Sequence, residues 1–143
     1  MDAQLCFALH DAARAIIGRY RPLLAIIGLT YTQYAVLLVL WQRPTISLQE
    51  LCGAVNMDSA TLSPLLKRLA DAALVERLRR PGDEREVEVR LTAAGSALHE
   101  PARRVQAEVE RATGLNRPDL EALRDQLHTL ARQLRSAPGD EAG

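Results

Sequence analysis

The chain carries two cysteines, Cys6 and Cys52, and a thiol is the side chain here best suited to chemistry of its own. Cys6 falls near the start of a segment with helical apolar spacing. There the partial positive charge of unpaired backbone N–H groups helps to stabilise a thiolate. Such a placement permits a nucleophilic, oxidisable sulfur, yet a lone cysteine is more often a small packing residue, and on this feature alone that account leads. Cys52, between Leu51 and Gly53, reads as a small buried thiol. The two lie 46 positions apart, with neither the clustering of metal ligands nor the spacing of a disulfide framework. No metal and no cofactor is therefore expected. His10 follows Cys6 by one helical turn, close enough to influence its proton, although a surface or interface histidine is the ordinary reading.

A second chemistry is carried by cations between positions 45 and 91. Lys67 and Arg68 stand in one helical segment, Arg77, Arg79 and Arg80 in an alternating one, and Arg85 two residues after Asp83 at the tip Pro81-Gly82-Asp83-Glu84-Arg85. The elements that position them have local start signals. Ser47 followed by Glu50 forms a capping box for a short helix from about Leu48 to Val55, and Asn56 suits its end. Asp58 or Ser59 can cap a second helix that buries Leu62, Leu65, Leu66 and Leu69. Its other face offers Ser59, Thr61, Ser63, Lys67 and Arg68, short hydrogen-bonding groups followed by cations, which suits base edges and phosphates. After Leu74 the pattern changes to the alternation of a half-buried hairpin, Val75 to Arg79 and Val87 to Leu91. An arginine at such a tip can enter a narrow minor groove, and an acid two residues before it can orient the guanidinium. A solvated hairpin face is the plain alternative for these arginines. Two helices followed by a cationic hairpin form the pattern of a winged helix-turn-helix, which makes double-stranded DNA the expected partner.

Composition limits that reading. The formal net charge of zero argues against a generic polyanion binder, so recognition must rest on local cations. Seventeen of the eighteen basic residues are Arg, Lys67 being the exception, which favours bidentate contacts to phosphate or guanine. No signal segment and no bilayer-spanning apolar run is visible, so a cytoplasmic location away from membranes is expected.

Outside positions 45 to 91 the chain reads as helical, giving a mainly α fold with a small β-hairpin wing. Residues 2 to about 26 set Leu5, Leu9, Ala12, Ala13, Ile16, Ile17, Leu23 and Leu24 on one stripe, with Pro22 expected to bend it or open a new turn. Gly28 breaks the run, and Thr30 with Gln33 caps the next helix, which Pro44 stops. Thr92 can cap a long helix from about Ala93 to Arg111, and Pro118 fits the first turn of a last helix through Leu134. A single domain over 1–135 is expected, with the winged unit at 45–91 and dimerisation helices in 1–44 and 92–135. The apolar stripes of the first and last helices exceed what a winged unit needs, and are expected to meet a second subunit. The tail 136–143, rich in Pro, Gly and acids, is expected to be disordered.

Three stretches, Leu5-Cys6-Phe7-Ala8-Leu9, Tyr20-Arg21-Pro22-Leu23-Leu24 and Gly28-Leu29-Thr30-Tyr31-Thr32-Gln33-Tyr34, are joined by Leu37-Leu38-Val39-Leu40-Trp41, by Asp58 through Leu69 with Ser63-Pro64 inside it, and by Asp83-Glu84-Arg85. Together they resemble the organic hydroperoxide-sensing repressors, the OhrR branch of the MarR family. The resemblance covers nearly the whole chain apart from the tail. It implies a homodimer that holds two winged units over a pseudopalindromic operator, with Pro64 and its neighbours on the DNA-binding helix. It also implies that Cys6 is the sensing thiol and that Tyr20 and Tyr31 donate phenolic hydrogen bonds to its thiolate, at least partly across the dimer interface. An organic hydroperoxide would be the inducer, and the regulated gene one for a thiol-based hydroperoxide reductase. Phe7, Leu9 and Ile16 would favour an organic peroxide over hydrogen peroxide.

Two positions depart from relatives of this branch. His10 stands where a third tyrosine is common, which touches the rearrangement after oxidation. Residues 92–143 contain no cysteine that could resolve the oxidised sulfur, so a low-molecular-weight thiol from outside is expected. Two other functions remain open to sequence. A repressor of the same family could answer to a small aromatic or lipophilic ligand with Cys6 merely packed, and a peroxidase could use Cys6 as nucleophile. The second lacks a resolving thiol, so no enzyme is expected. A pure interaction scaffold would leave the Asp83 and Arg85 wing without use.

Overall fold

The structure, a computed structural model, describes residues 4–80 and 83–139, with the backbone alone given for 80 and 83–86. Two helices precede the winged region. Helix α1 (Leu5–Ile26) runs through Pro22 without ending, and α2 (Tyr31–Gln42) begins at a complete capping box. There Thr30 Oγ1 accepts the Gln33 N–H at 3.2 Å, and Gln33 Oε1 accepts the Thr30 N–H at 3.0 Å. Gly28, at φ +81°, makes the turn between them. No single helix among the described residues is long and apolar enough to cross a membrane.

Strand β1 (Thr45–Ser47) leads into α3 (Leu48–Val55), whose Ser47 cap accepts the Glu50 N–H at 3.1 Å. Asn56 ends α3 in the left-handed region at φ 56°, a conformation that asparagine tolerates better than most residues. Helix α4 (Ser59–Asp71) follows, then β2 (Val75–Arg80) and β3 (Asp83–Leu91). The sheet has the order β1-β3-β2 and is antiparallel throughout. Strand β1 was not foreseen, because three residues are too few to show a period of two. In β2 the expected alternation fails. Val75, Arg77 and Arg79 share a face, opposite Leu91, Val89 and Val87, while Leu78 lies on the other side opposite Glu88.

The core is aliphatic. Leu24 of α1, Val36, Leu37 and Leu40 of α2, Leu51 of α3, Leu62, Leu66 and Leu69 of α4 and Val89 of β3 are all fully enclosed. Burying such a side chain contributes roughly 1.5–3 kcal/mol, so α4 is held mainly by its leucine stripe.

The long helix expected from Ala93 to Arg111 is divided into α5 (Ala93–Ala97) and α6 (His99–Ala112). The physical reason is Pro101, which has no N–H to give the Ala97 carbonyl and whose ring crowds it. The chain closes the gap with a tighter bond from Leu98 N–H to Gly95 O at 3.3 Å. Helix α7 (Arg117–Ser136) is capped by Asn116, with Pro118 in its first turn.

The chain forms two compact units, 1–107 and 108–143. In the second, Arg117 and Glu110 pair at 3.0 Å across the turn before α7. Helix α7 buries none of its residues, and Leu123, Leu127 and Leu134 are exposed. In the first unit, α1 buries only Tyr20 and Leu24 and leaves Leu5, Phe7 and Ile16 in the open. The tail expected to be disordered, 136–143, falls partly in α7, and its last four residues lie outside the described ones.

Candidate functional site

Cys6 sits in the first turn of α1 with an exposed thiol, and its Sγ lies 3.7 Å from Gln4 Oε1. Tyr20 lies on the same unbroken helix. Fourteen residues at ~1.5 Å each place it about 21 Å further along the axis. Tyr31 packs beside Tyr20, with ring centroids 5.7 Å apart. One protomer therefore brings the two tyrosines together and keeps Cys6 away from them. His10 is exposed on α1, and Cys52 is half-buried on α3.

Sequence reasoning missed the third member of this group. Tyr34 is 3% exposed, and its ring lies 5.2 Å from that of Tyr20 and 6.2 Å from that of Tyr31. Three residues separate Tyr31 and Tyr34, which puts them on neighbouring positions of one helix face. That spacing was a signal, but it reads equally as ordinary core. Further along α2, Trp41 approaches Tyr34 at 6.2 Å, donates its indole N–H to Gly95 O at 3.0 Å and stacks on His99 at 4.9 Å. Every tyrosine and the sole tryptophan of the chain thus belong to one aromatic series.

The second candidate surface is built on α4. Its buried stripe of Leu62, Leu65, Leu66 and Leu69 fixes which side faces out. At about 100° per residue, Ala60, Pro64 and Lys67 lie opposite that stripe, with Ser63 and Arg68 beside them. Ser59, Thr61, Pro64, Lys67 and Arg68 are exposed and Ser63 is half-buried. The helix start is held by Asp58, whose carboxylate accepts the Thr61 N–H at 2.7 Å. Arg77 and Arg79 are exposed on β2. The side chains of Asp83 and Arg85 lie outside the described residues, as do residues 81 and 82.

The bonds from the Thr61 hydroxyl and amide hold the Asp58 carboxyl below its usual range. A carboxyl whose folded pKa is depressed stabilises the fold above its unfolded value, near ~3.9, and loses that contribution as pH falls through the folded value. Asp58→Asn keeps an acceptor at the cap but cannot titrate. Its thermal unfolding midpoint, followed by circular dichroism, is expected to depend less steeply on pH below about 4. An unchanged profile would assign acid sensitivity to other carboxyls.

Comparison with known proteins places the chain among DNA-binding regulators. The MarR family profile matches residues 29–87. The HTH-type transcriptional regulator TtmR of Methylorubrum extorquens is 41% identical over 139 residues, 97% of this chain and 71% of that protein. The organic hydroperoxide resistance transcriptional regulator of Bacillus subtilis is 35% identical over 134 residues, 94% and 91% of the two chains. Among solved structures, reduced AbfR of Staphylococcus epidermidis bound to DNA superposes with a TM-score of 0.74 at 29% identity, covering 93% of each chain.

Proposed function

The chain belongs to the MarR family of DNA-binding transcriptional regulators, and from that premise we propose that it is a repressor released from its operator when Cys6 is oxidised by an organic hydroperoxide. The single observation that carries this reading is an exposed thiol in the first turn of α1, in a chain similar over 94% of its length to a hydroperoxide resistance regulator.

The working unit is a homodimer. Because α1 separates Cys6 from Tyr20 by about 21 Å, the phenols that hydrogen-bond its thiolate come from the other protomer. The exposed Leu5, Phe7 and Ile16 on α1 and the leucines of α7 are the surfaces available for pairing. Burial of α1 there would also surround the thiol with apolar side chains that suit an organic peroxide.

The chemistry balances without a cofactor. The Cys6 thiolate attacks one peroxide oxygen and the O–O bond breaks, leaving a sulfenic acid and an alkoxide that takes a proton to become the alcohol. The sulfenic acid then condenses with a low-molecular-weight thiol, giving a mixed disulfide and water. No cysteine occurs in residues 92–143 to compete for that step. A larger sulfur group at a dimer interface changes the spacing of the two winged units and so their fit to a pseudopalindromic site. The released gene would be one whose product destroys hydroperoxides, and the protein would act in the cytoplasm, where its DNA is.

On DNA, the start of α4 with Ser59, Thr61, Ser63 and Pro64 meets base edges in the major groove, and Lys67 and Arg68 meet phosphates. Arg77 and Arg79, with Asp83 and Arg85 at the tip, form the wing that follows the minor groove. Lys67→Ala is expected to weaken binding on all sequences alike and to lower the salt dependence of log K by about one per protomer. Fluorescence anisotropy across a salt series would check this, and an unchanged slope would remove Lys67 from the phosphate contacts.

The reading as a whole is tested by binding of the purified dimer to DNA upstream of its own gene, before and after one equivalent of cumene hydroperoxide with a small thiol present. Release that strong reductant reverses supports it. Tight binding that ignores oxidant would instead favour control by a small aromatic or lipophilic ligand.

A further inference from the structure

We propose that Trp41 is a positioning residue that links the tyrosine cluster to the base of the DNA-binding unit, through its indole N–H on Gly95 O and its stack on His99. The proposal rests on the redox reading above and deepens it, since oxidation at Cys6 must reach a wing and a recognition helix that Cys6 does not touch.

Tyr34 and Trp41 are seven residues, about two turns, apart on α2, so their rings stand one above the other on one face. At one end Tyr34 packs on both Tyr20 and Tyr31. At the other, Trp41 reaches α5 and α6. Both contacts are made at a junction tied closely to the wing. Thr92 Oγ1 accepts the Gly95 N–H at 3.0 Å and donates to Ala73 O at 2.7 Å. Thr92 N–H bonds Leu74 O at 3.1 Å, and Leu91 N–H bonds Pro44 O at 2.8 Å. Residues 73–75 and 91 are the two ends of the β2 and β3 hairpin where it joins α4 and α5. Any movement of the tyrosine rings against a partner's oxidised sulfur is therefore passed along one rigid helix to the root of the wing. Packed elements of this kind switch between discrete arrangements and do not yield gradually.

Trp41→Phe removes the N–H and keeps a ring, and Gly95 O retains the Leu98 N–H at 3.3 Å, so no carbonyl is orphaned. His99→Leu removes the stack alone, at an exposed side chain. The experiment measures operator affinity of the reduced and hydroperoxide-treated protein for the parent and both variants, with mass spectrometry following Cys6. Expected are equal rates and extents of Cys6 oxidation, reduced-state affinities close to the parent's, and a ratio of reduced to oxidised affinity lowered about tenfold in Trp41→Phe, within the usual range of coupling between sites. A merely structural role for Trp41 would lower both affinities together. If Trp41→Phe fails to fold, His99→Leu carries the test in the same direction. Variants that leave the operator as fully as the parent when oxidised would overturn the linkage and leave the redox reading standing. A parent that stays on DNA when oxidised would overturn both.

Discussion

Cys6→Ser is expected to abolish the response to organic hydroperoxide altogether while leaving operator affinity within about twofold, since an exchange of nearly equal size leaves the packing around it in place. A serine hydroxyl has nearly the thiol's shape, but it does not form the anion that attacks an O–O bond. Because Cys6 is exposed in the first turn of α1, its replacement removes no core volume. Cys52 serves as the control. It is half-buried on α3 within the winged unit, and Cys52→Ser is expected to release DNA on oxidation as the parent does. Tyr20→Phe and Tyr31→Phe should fall between these limits, slowing oxidation without preventing it, since on the proposed reading each would remove one hydrogen bond to the thiolate and leave the sulfur in place. Anisotropy of a labelled operator during titration with cumene hydroperoxide separates the cases. A Cys52→Ser protein that no longer responds would move the sensor into the DNA-binding unit, and a responsive Cys6→Ser protein would remove thiol sensing at Cys6.

Four helix starts were legible because each is announced within four residues. Ser47 and Glu50, Asp58 and Thr61, Thr30 and Gln33, and Thr92 and Gly95 all form the side-chain caps that their types allow. The buried face of α4 was legible for a similar reason, since four leucines at helical spacing have one way to be covered. What stayed hidden was non-local. Strand β1 is defined by its pairing with β3, more than forty residues later in sequence, through Ile46 and Val89. The stack of Trp41 on His99 joins two helices whose sequences give no sign of each other. Cys6, Tyr20 and Tyr31 were each identifiable as chemically apt residues, but their mutual distance depends on α1 running unbroken from Cys6 to Tyr20 and on the packing of Tyr31 beside Tyr20. On the proposed reading, that separation is the reason to take the phenols from the partner protomer.

Gly95→Ala is expected to be the most damaging small change at the base of the winged unit, against its local propensity. Alanine in place of a helical glycine ordinarily stabilises by roughly 1 kcal/mol. Here an added Cβ would lie 2.3 Å from Leu74 O and 2.7 Å from Leu91 Cδ1. The leucine side chain can turn away, but the carbonyl belongs to the backbone and already accepts the Thr92 N–H at 3.1 Å. Relief therefore requires α5 to move off the base of the hairpin, straining that bond, the Thr92 bond to Ala73 O and the Trp41 bond to Gly95 O. The expected loss is about 3 kcal/mol, the upper end for overpacking a well-filled site. Chemical denaturation at fixed protein concentration would measure it, since stability of a dimer depends on concentration. The same displacement should loosen the wing, so operator affinity falls even where the variant remains folded. A variant as stable as the parent would mean that the wing base yields more easily than a backbone contact at that distance allows.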